Sequence, residues 1–217
     1  NDVPEQLRIR REKRDRLLES GVEAYPVTVE RTISLKDLRH DFRVVAEGEE
    51  PGNEEGVTYL APGEETEVTH AIAGRLIFMR NTGKLCFATL QDGDGTQVQA
   101  MLSLAEVGKE RLDAWKSDVD LGDHLFVHGR VISSRRGELS IFATPAEVTP
   151  EAQAAYEAAS SALPAPDASW AIASKAIRPL PKTWTTEDGE EITLSEDQRI
   201  RRRELDLITR PAARDMV

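Results

Sequence analysis

Apolar and polar residues alternate by twos through the middle of the chain, and a period of two predicts strands. Five are expected: 69–80 (THAIAGRLIFMR), 84–91 (KLCFATLQ), 96–103 (TQVQAMLS), 123–134 (DHLFVHGRVISS) and 137–148 (GELSIFATPAEV). Between the third and fourth, residues 105–116 carry helical spacing, with Val107, Leu112 and Trp115 as buried points. Gly83, the DGDG run at 92–95, Gly122 and Gly137 stand at the bends, where positive φ is often required.

The flanks follow other rules. Residues 4–21 (PEQLRIRREKRDRLLESG) read as a helix opened by Pro4 and stopped at Gly21, with Leu7, Ile9, Leu17 and Leu18 as a thin apolar stripe. Two readings of it stay open: an exposed helix laced by i,i+4 ion pairs, or a basic arm lying along a phosphate backbone. Residues 34–46 form a second helix, capped by Ser34 with Asp37 three places on. A flexible acidic loop is expected at 47–67. Residues 149–172 are Ala-rich, helical at first and then linker; 175–184 are held extended by proline; 194–217 begin a last helix capped by Ser195, with Ile200, Leu205 and Leu207 as its apolar positions.

Three strands, a helix and two strands make the order of an OB-fold, a small five-stranded barrel. An open five-stranded sheet is the rival. Closure is favoured because no strand is blunted as an edge. The expected class is therefore mainly β with helices, divided into N-terminal helices and acidic loop (1–68), barrel (69–148), Ala/Pro-rich linker (149–193) and a terminal connecting helix (194–217).

Composition narrows the chemistry. The net charge of −11 opposes nonspecific nucleic-acid binding, but the charge is uneven. Residues 47–67 hold no Lys or Arg, whereas 8–16 (RIRREKRDR) are mostly basic, so patches are read separately from the total. A single cysteine, Cys86, excludes an internal disulfide and a cysteine-rich zinc site. No apolar run approaches the roughly 20 residues of a membrane span, and no signal-peptide pattern opens the chain, so a cytoplasmic protein with no membrane partner is expected. His124 and His128, i and i+4 on a strand, stand about 13 Å apart and do not converge on a metal. The DGDG run fails the calcium-loop spacing, since Gln97 and Ser103 fall where Gly and Glu are needed. No metal site is expected, and neither a phosphate loop nor a nucleophile–base motif is found.

One position breaks the alternation informatively. Cys86, Ala88 and Leu90 share one strand face, and Val98, Ala100 and Leu102 share the facing one. Phe87 and Gln99 then lie on the outer wall, opposite or diagonal to each other. An exposed ring is a stacking platform for an unpaired base, worth about 1–3 kcal/mol, and an amide can pair with that base's edge. Arg80, Lys84, Arg135 and Arg136 are placed to hold phosphates, and Glu138 to accept from a base amino group. The plain alternative is that another segment covers Phe87.

The segments MRNTGKLCFATLQDGDGTQVQ (79–99), SSRRGELSIFA (133–143), KAIRPLPKTW (175–184) and RIRRRELDLITRPAARD (199–215) resemble the N-terminal part of bacterial lysyl-tRNA synthetase, a class II enzyme, and most of all its actinobacterial members. LRIRREKRDRLLESGVEAYP (7–26) resembles that family's first helix and turn. The resemblance implies an anticodon-binding OB-fold. It implies that Phe87 stacks on the central anticodon base, that Gln99 hydrogen-bonds it, and that Arg80 and Glu138 contact the same region. Gln97 replaces Gln99 if the hairpin register shifts by two. It implies a parent that attaches lysine to its tRNA using ATP and magnesium, and a catalytic domain whose three signature motifs are missing here. This piece is then expected to have no catalytic residues, to need no cofactor, and to bind the lysine tRNA anticodon stem-loop. The last helix is expected to pack on the catalytic domain, with a homodimer possible. A stand-alone single-stranded nucleic-acid binder, a protein–protein OB module and an aspartyl- or asparaginyl-tRNA synthetase domain are the competing readings.

Overall fold

The computed structural model describes residues 4–26, 28–159, 164–181, 184–185, 191–192, 195–214 and 216. They fall into two units, 1–177 and 178–217. The first runs α1 (Glu5–Glu19), α2 (Leu35–Asp41), β1 (Phe42–Val44), β2 (Thr58–Leu60), β3 (Glu65–Thr82), β4 (Leu85–Gln91), β5 (Gln97–Ser103), α3 (Leu104–Asp118), β6 (His124–Ser133), β7 (Leu139–Ala143), α4 (Pro150–Ala158) and β8 (Trp170–Ser174).

The length of β3 explains how the sheet closes. Its first part pairs antiparallel with β6, from Glu65↔Ile132 to Arg75↔His124. Its second part pairs antiparallel with β4, from Arg75↔Gln91 to Thr82↔Leu85. β4 pairs antiparallel with β5, β5 runs parallel to β7, and β7 pairs antiparallel with β6. The hydrogen bonding therefore runs in a ring through the five expected strands, in OB-fold order. Gly83, at φ +63°, makes the tight β3–β4 turn that an L side chain would strain.

The alternation fills the ring. Cys86, Ala88, Leu90, Val98, Ala100, Leu102, Leu125, Val127 and Val131 are all buried on its inner face. α3, interrupted by a kink at Gly108 with φ +76°, covers this core with Val107, Leu112 and Trp115, all three buried. Ser103 caps α3, accepting from the Glu106 amide.

Several expectations are corrected. The Ala/Pro-rich stretch is not linker up to residue 172: Trp170–Ser174 form β8, antiparallel to the first half of β6, where β7 no longer accompanies it. Trp170 holds β8 there, edge-on to Trp115 at 5.3 Å and 88°. The second helix stops at Asp41, because Phe42–Val44 pair in parallel with Thr58–Leu60 inside the expected acidic loop. α1 is neither simply solvated nor a free basic arm. Arg10, Lys13 and Arg16 dock on the end of α3 and the loop before β6, Arg10 donating to the Leu121 carbonyl, Lys13 Nζ reaching Asp120 at 2.8 Å and Arg16 reaching Asp118 at 3.1 Å. The Ser34 cap forms as expected.

In the second unit, β9 (Trp184–Thr185) pairs antiparallel with β10 (Glu191–Ile192). The expected last helix is three: α5 (Glu196–Arg201), α6 (Arg203–Thr209) and α7 (Pro211–Arg214). Ser195 does cap α5, in a capping box with Gln198. The breaks fall at Arg202, with φ −131°, and at Arg210, which Pro211 pushes into extended backbone. Parts of the expected linker, at 160–163, 182–183, 186–190 and 193, lie outside the described residues. Among the described residues no helix is long and apolar enough to cross a membrane.

Candidate nucleic-acid interface

The β4–β5 hairpin fixes which side chains meet. Phe87 stands opposite Met101, and Thr89 opposite Gln99, so Phe87 and Gln99 are diagonal neighbours on the outer wall. Across the other edge, Arg80 is paired with Phe87, and its guanidinium carbon lies 4.8 Å from the ring centroid. Phe87 is thus half-buried beneath an arginine. On the far side of β5, Gln99 is in register with Ser140 of β7. The Ser140 hydroxyl lies 3.3 Å from Gln99 Oε1 and 2.9 Å from the Glu138 carbonyl. That contact orients the amide, whose Nε2 has no partner among the described residues.

These residues line one groove of about 780 Å³. It gathers Arg80, Phe87, Gln99, Arg135, Arg136 and Glu138, six of the seven residues singled out in the sequence. Arg135 and Arg136 come from the β6–β7 turn, and Glu138 stands just before β7 with the outward parity of Ser140 and Phe142. Lys84 does not join them. It is exposed in the β3–β4 turn and has the parity of buried Cys86, opposite to that of Phe87. Gln97 pairs with Gln91 and lines a neighbouring depression with Lys36 and Arg39, so the register brings Gln99, and not Gln97, to Phe87.

Charge distinguishes this wall from the rest of the surface. Most arginines described elsewhere are paired, among them Arg31 with Asp92, Arg43 with Glu54 and Arg130 with Glu65 and Glu106. Among the described residues no carboxylate stands within ion-pairing distance of Arg80, Arg135 or Arg136. Glu138 is 3.9 Å from Arg39 and exposed. The groove therefore offers an aromatic platform, an amide, a carboxylate and uncompensated cations within a few side chains of one another.

Phe78 also lines the groove, and the sequence reading did not single it out. It is 54% exposed. Counting by twos from buried Ile72 and Leu76 would send it inward. A bulge between Leu76 and Phe78 adds one residue to β3, and the parity reverses. The only available signal was an apolar run, LIFM, too uniform to reveal its own register.

The remaining chemical groups are engaged structurally. Burial pushes the Cys86 thiol up, against the pull of Lys116. The carboxylates of the DGDG turn are engaged, Asp92 accepting from the Gly93 amide and pairing with Arg31, and Asp94 accepting from the Thr96 amide. His128 Nδ1 lies 2.9 Å from the Thr144 carbonyl.

Residues 70–149, the span of the ring, match the family model described as an OB-fold nucleic acid binding domain. The strand order and this match agree on the fold: the segment is an OB-fold. The whole chain is similar to lysine–tRNA ligases: 49% identical over 100% of its length to that of Kineococcus radiotolerans, 48% over 99% to that of Mycolicibacterium gilvum, and 32% over 99% to that of Bacillus cytotoxicus. It spans about a third of the length of these curated relatives, 34% in each case. The OB-fold domain's groove thus lies within a region shared end to end with them.

Proposed function

We propose that this chain is the anticodon-reading part of a lysine–tRNA ligase, and that the groove around Phe87 receives an unpaired anticodon base. The observation that carries the reading is the convergence of Phe87, Gln99, Glu138 and three arginines in one groove. A base stacked on Phe87 presents its edge to Gln99 and Glu138. Uracil suits the pair, since its carbonyls accept from an amide NH₂ and its N3–H donates to a carboxylate. Arg135 and Arg136, which line the groove, would hold the strand's phosphates. On this reading, lysine activation with ATP and magnesium belongs to the remainder of the longer protein, which works in the cytoplasm as a homodimer. The present residues contribute selection and positioning of the tRNA.

The test is an equilibrium titration of the chain with three RNA stem-loops. One carries the lysine anticodon loop, one the same loop with its central uridine replaced by cytidine, and one the aspartate anticodon loop. The lysine loop binds best, and the cytidine replacement weakens binding about tenfold, the scale of a lost base-edge pair. Equal affinity for all three, with a steep salt dependence, indicates a nonspecific single-strand binder instead. No binding to any of them indicates a protein-binding module.

A further inference from the structure

The groove holds a second exposed ring. Phe78 pairs with Thr89 and Arg80 pairs with Phe87, so Phe78 and Phe87 are diagonal neighbours across β3 and β4. Both line the same groove, yet only Phe87 is covered by a guanidinium. Phe78 is 54% exposed, although simple alternation would have buried it. The bulge at Ile77 is what turns it outward. A bulge interrupts a ladder and leaves a residue unpaired, and such bulges recur where a side chain must be re-aimed. Exposing a phenylalanine gives up burial, which a ligand stacked on the ring would restore.

We infer that Phe78 is a second stacking platform, and that the groove takes two unpaired bases of one single-stranded RNA, one on each ring. The inference rests on the RNA reading above and extends it from one base to two. RNA is the occupant the surroundings favour, because Arg80, Arg135 and Arg136 line the groove with both rings and Glu138, and none of the three is ion-paired among the described residues. An apolar protein segment would bury those cations unpaired, whereas a phosphate backbone neutralises them. Diagonal side chains on paired strands lie about 7–8 Å apart, so each ring can serve its own base and not share one.

The experiment uses the lysine anticodon stem-loop with 2-aminopurine placed at each loop position in turn, titrated into the wild-type chain and into Phe78→Ala, Phe78→Leu, Phe78→Trp and Phe87→Ala. Phe78 is exposed, so its variants are expected to keep the wild-type unfolding midpoint. Phe78→Ala and Phe78→Leu weaken binding about tenfold, and Phe78→Trp restores it, because a flat π face and not apolar bulk is required. The decisive readout is the fluorescence map. Two positions are quenched by the wild type; Phe78→Ala releases one of them and Phe87→Ala releases the other. If both variants release the same position, or if Phe78→Ala binds as wild type while Phe87→Ala is weakened, the second platform is refuted and the one-base reading stands. If neither variant changes affinity or quenching, both readings fail together. If Phe78→Leu binds as tightly as wild type while Phe78→Ala does not, apolar cover replaces stacking and the inference is again overturned.

Discussion

Phe87 has one ring and two suitors for its face. In the free chain Arg80 lies 4.8 Å over the ring, a contact worth about 0.5–1 kcal/mol where solvent is near. On the proposed reading a stacked base, worth about 1–3 kcal/mol, would displace the arginine. The exchange would be favourable, and the released guanidinium would be free to meet a phosphate or a base carbonyl. Phe87→Ala should therefore weaken binding of the lysine anticodon stem-loop by about 1–3 kcal/mol, measured by titration; unchanged affinity would remove the ring from the site. At this scale the sequence was legible wherever parity held. Two strands joined by a tight turn put Phe87 and Gln99 on one wall, opposite or diagonal, and the observed register makes them diagonal. Parity failed for Phe78, where a bulge resets the count, and it was not applied to Lys84, which was expected to hold phosphate but has the parity of buried Cys86.

Elements impose their own demands, and the closest is at the crossing of β6 and β7. Gly129 is paired with Ala143, and a Cβ at position 129 would stand 2.0 Å from the Phe142 carbonyl oxygen. That neighbour is backbone inside a ring, so it cannot turn aside. Gly129→Ala is expected to destabilise the chain by about 3 kcal/mol, at the upper end of overpacking effects. The urea midpoint should fall with little change in slope, and a wild-type midpoint would mean that β7 can shift freely. The five ring strands were readable because each buries one face and exposes the other. β8 was not, since WAIAS follows an Ala/Pro-rich stretch and pairs with only part of β6. β1 and β2 were hidden for a related reason: three residues each, parallel, and separated by acidic loop residues, they carry too short a pattern to count.

For the molecule as a whole, a net charge of −11 coexists with a cationic groove because much of the acid is placed elsewhere or already paired. The strongest such pairing ties the N-terminal helix to the end of the first unit. Lys175, just after β8, is fully buried and reaches Asp120 at 2.6 Å and Asp123 at 2.8 Å. Lys13 of α1 holds the other oxygen of Asp120, while Arg10 donates to the Ala176 and Leu121 carbonyls. Composition showed basic residues in α1 but could not show that their counter-charges stood more than a hundred residues away. Removing the cation leaves a buried carboxylate unmatched, so Lys175→Met should lower stability by about 3–5 kcal/mol at neutral pH. Burial already pushes the Asp123 carboxyl up against the pull of Lys175, and losing Lys175 pushes it further. A carboxyl raised in the folded state contributes stability that is present below its unfolded value of about 3.9 and lost as pH rises through the folded one. The deficit of Lys175→Met should therefore be larger at about pH 7.5 than at about pH 5. Asp120 runs the other way: burial opposes its ionisation, but Lys13 and Lys175 together hold it low, so its contribution fades only as pH falls below about 3.9. Comparing wild type and Lys175→Met by urea unfolding at about pH 5 and about pH 7.5 keeps clear of that lower range. A deficit that does not change between them would mean that water reaches Asp123 once the lysine is gone, and that the joint between α1 and the barrel is not a dry one.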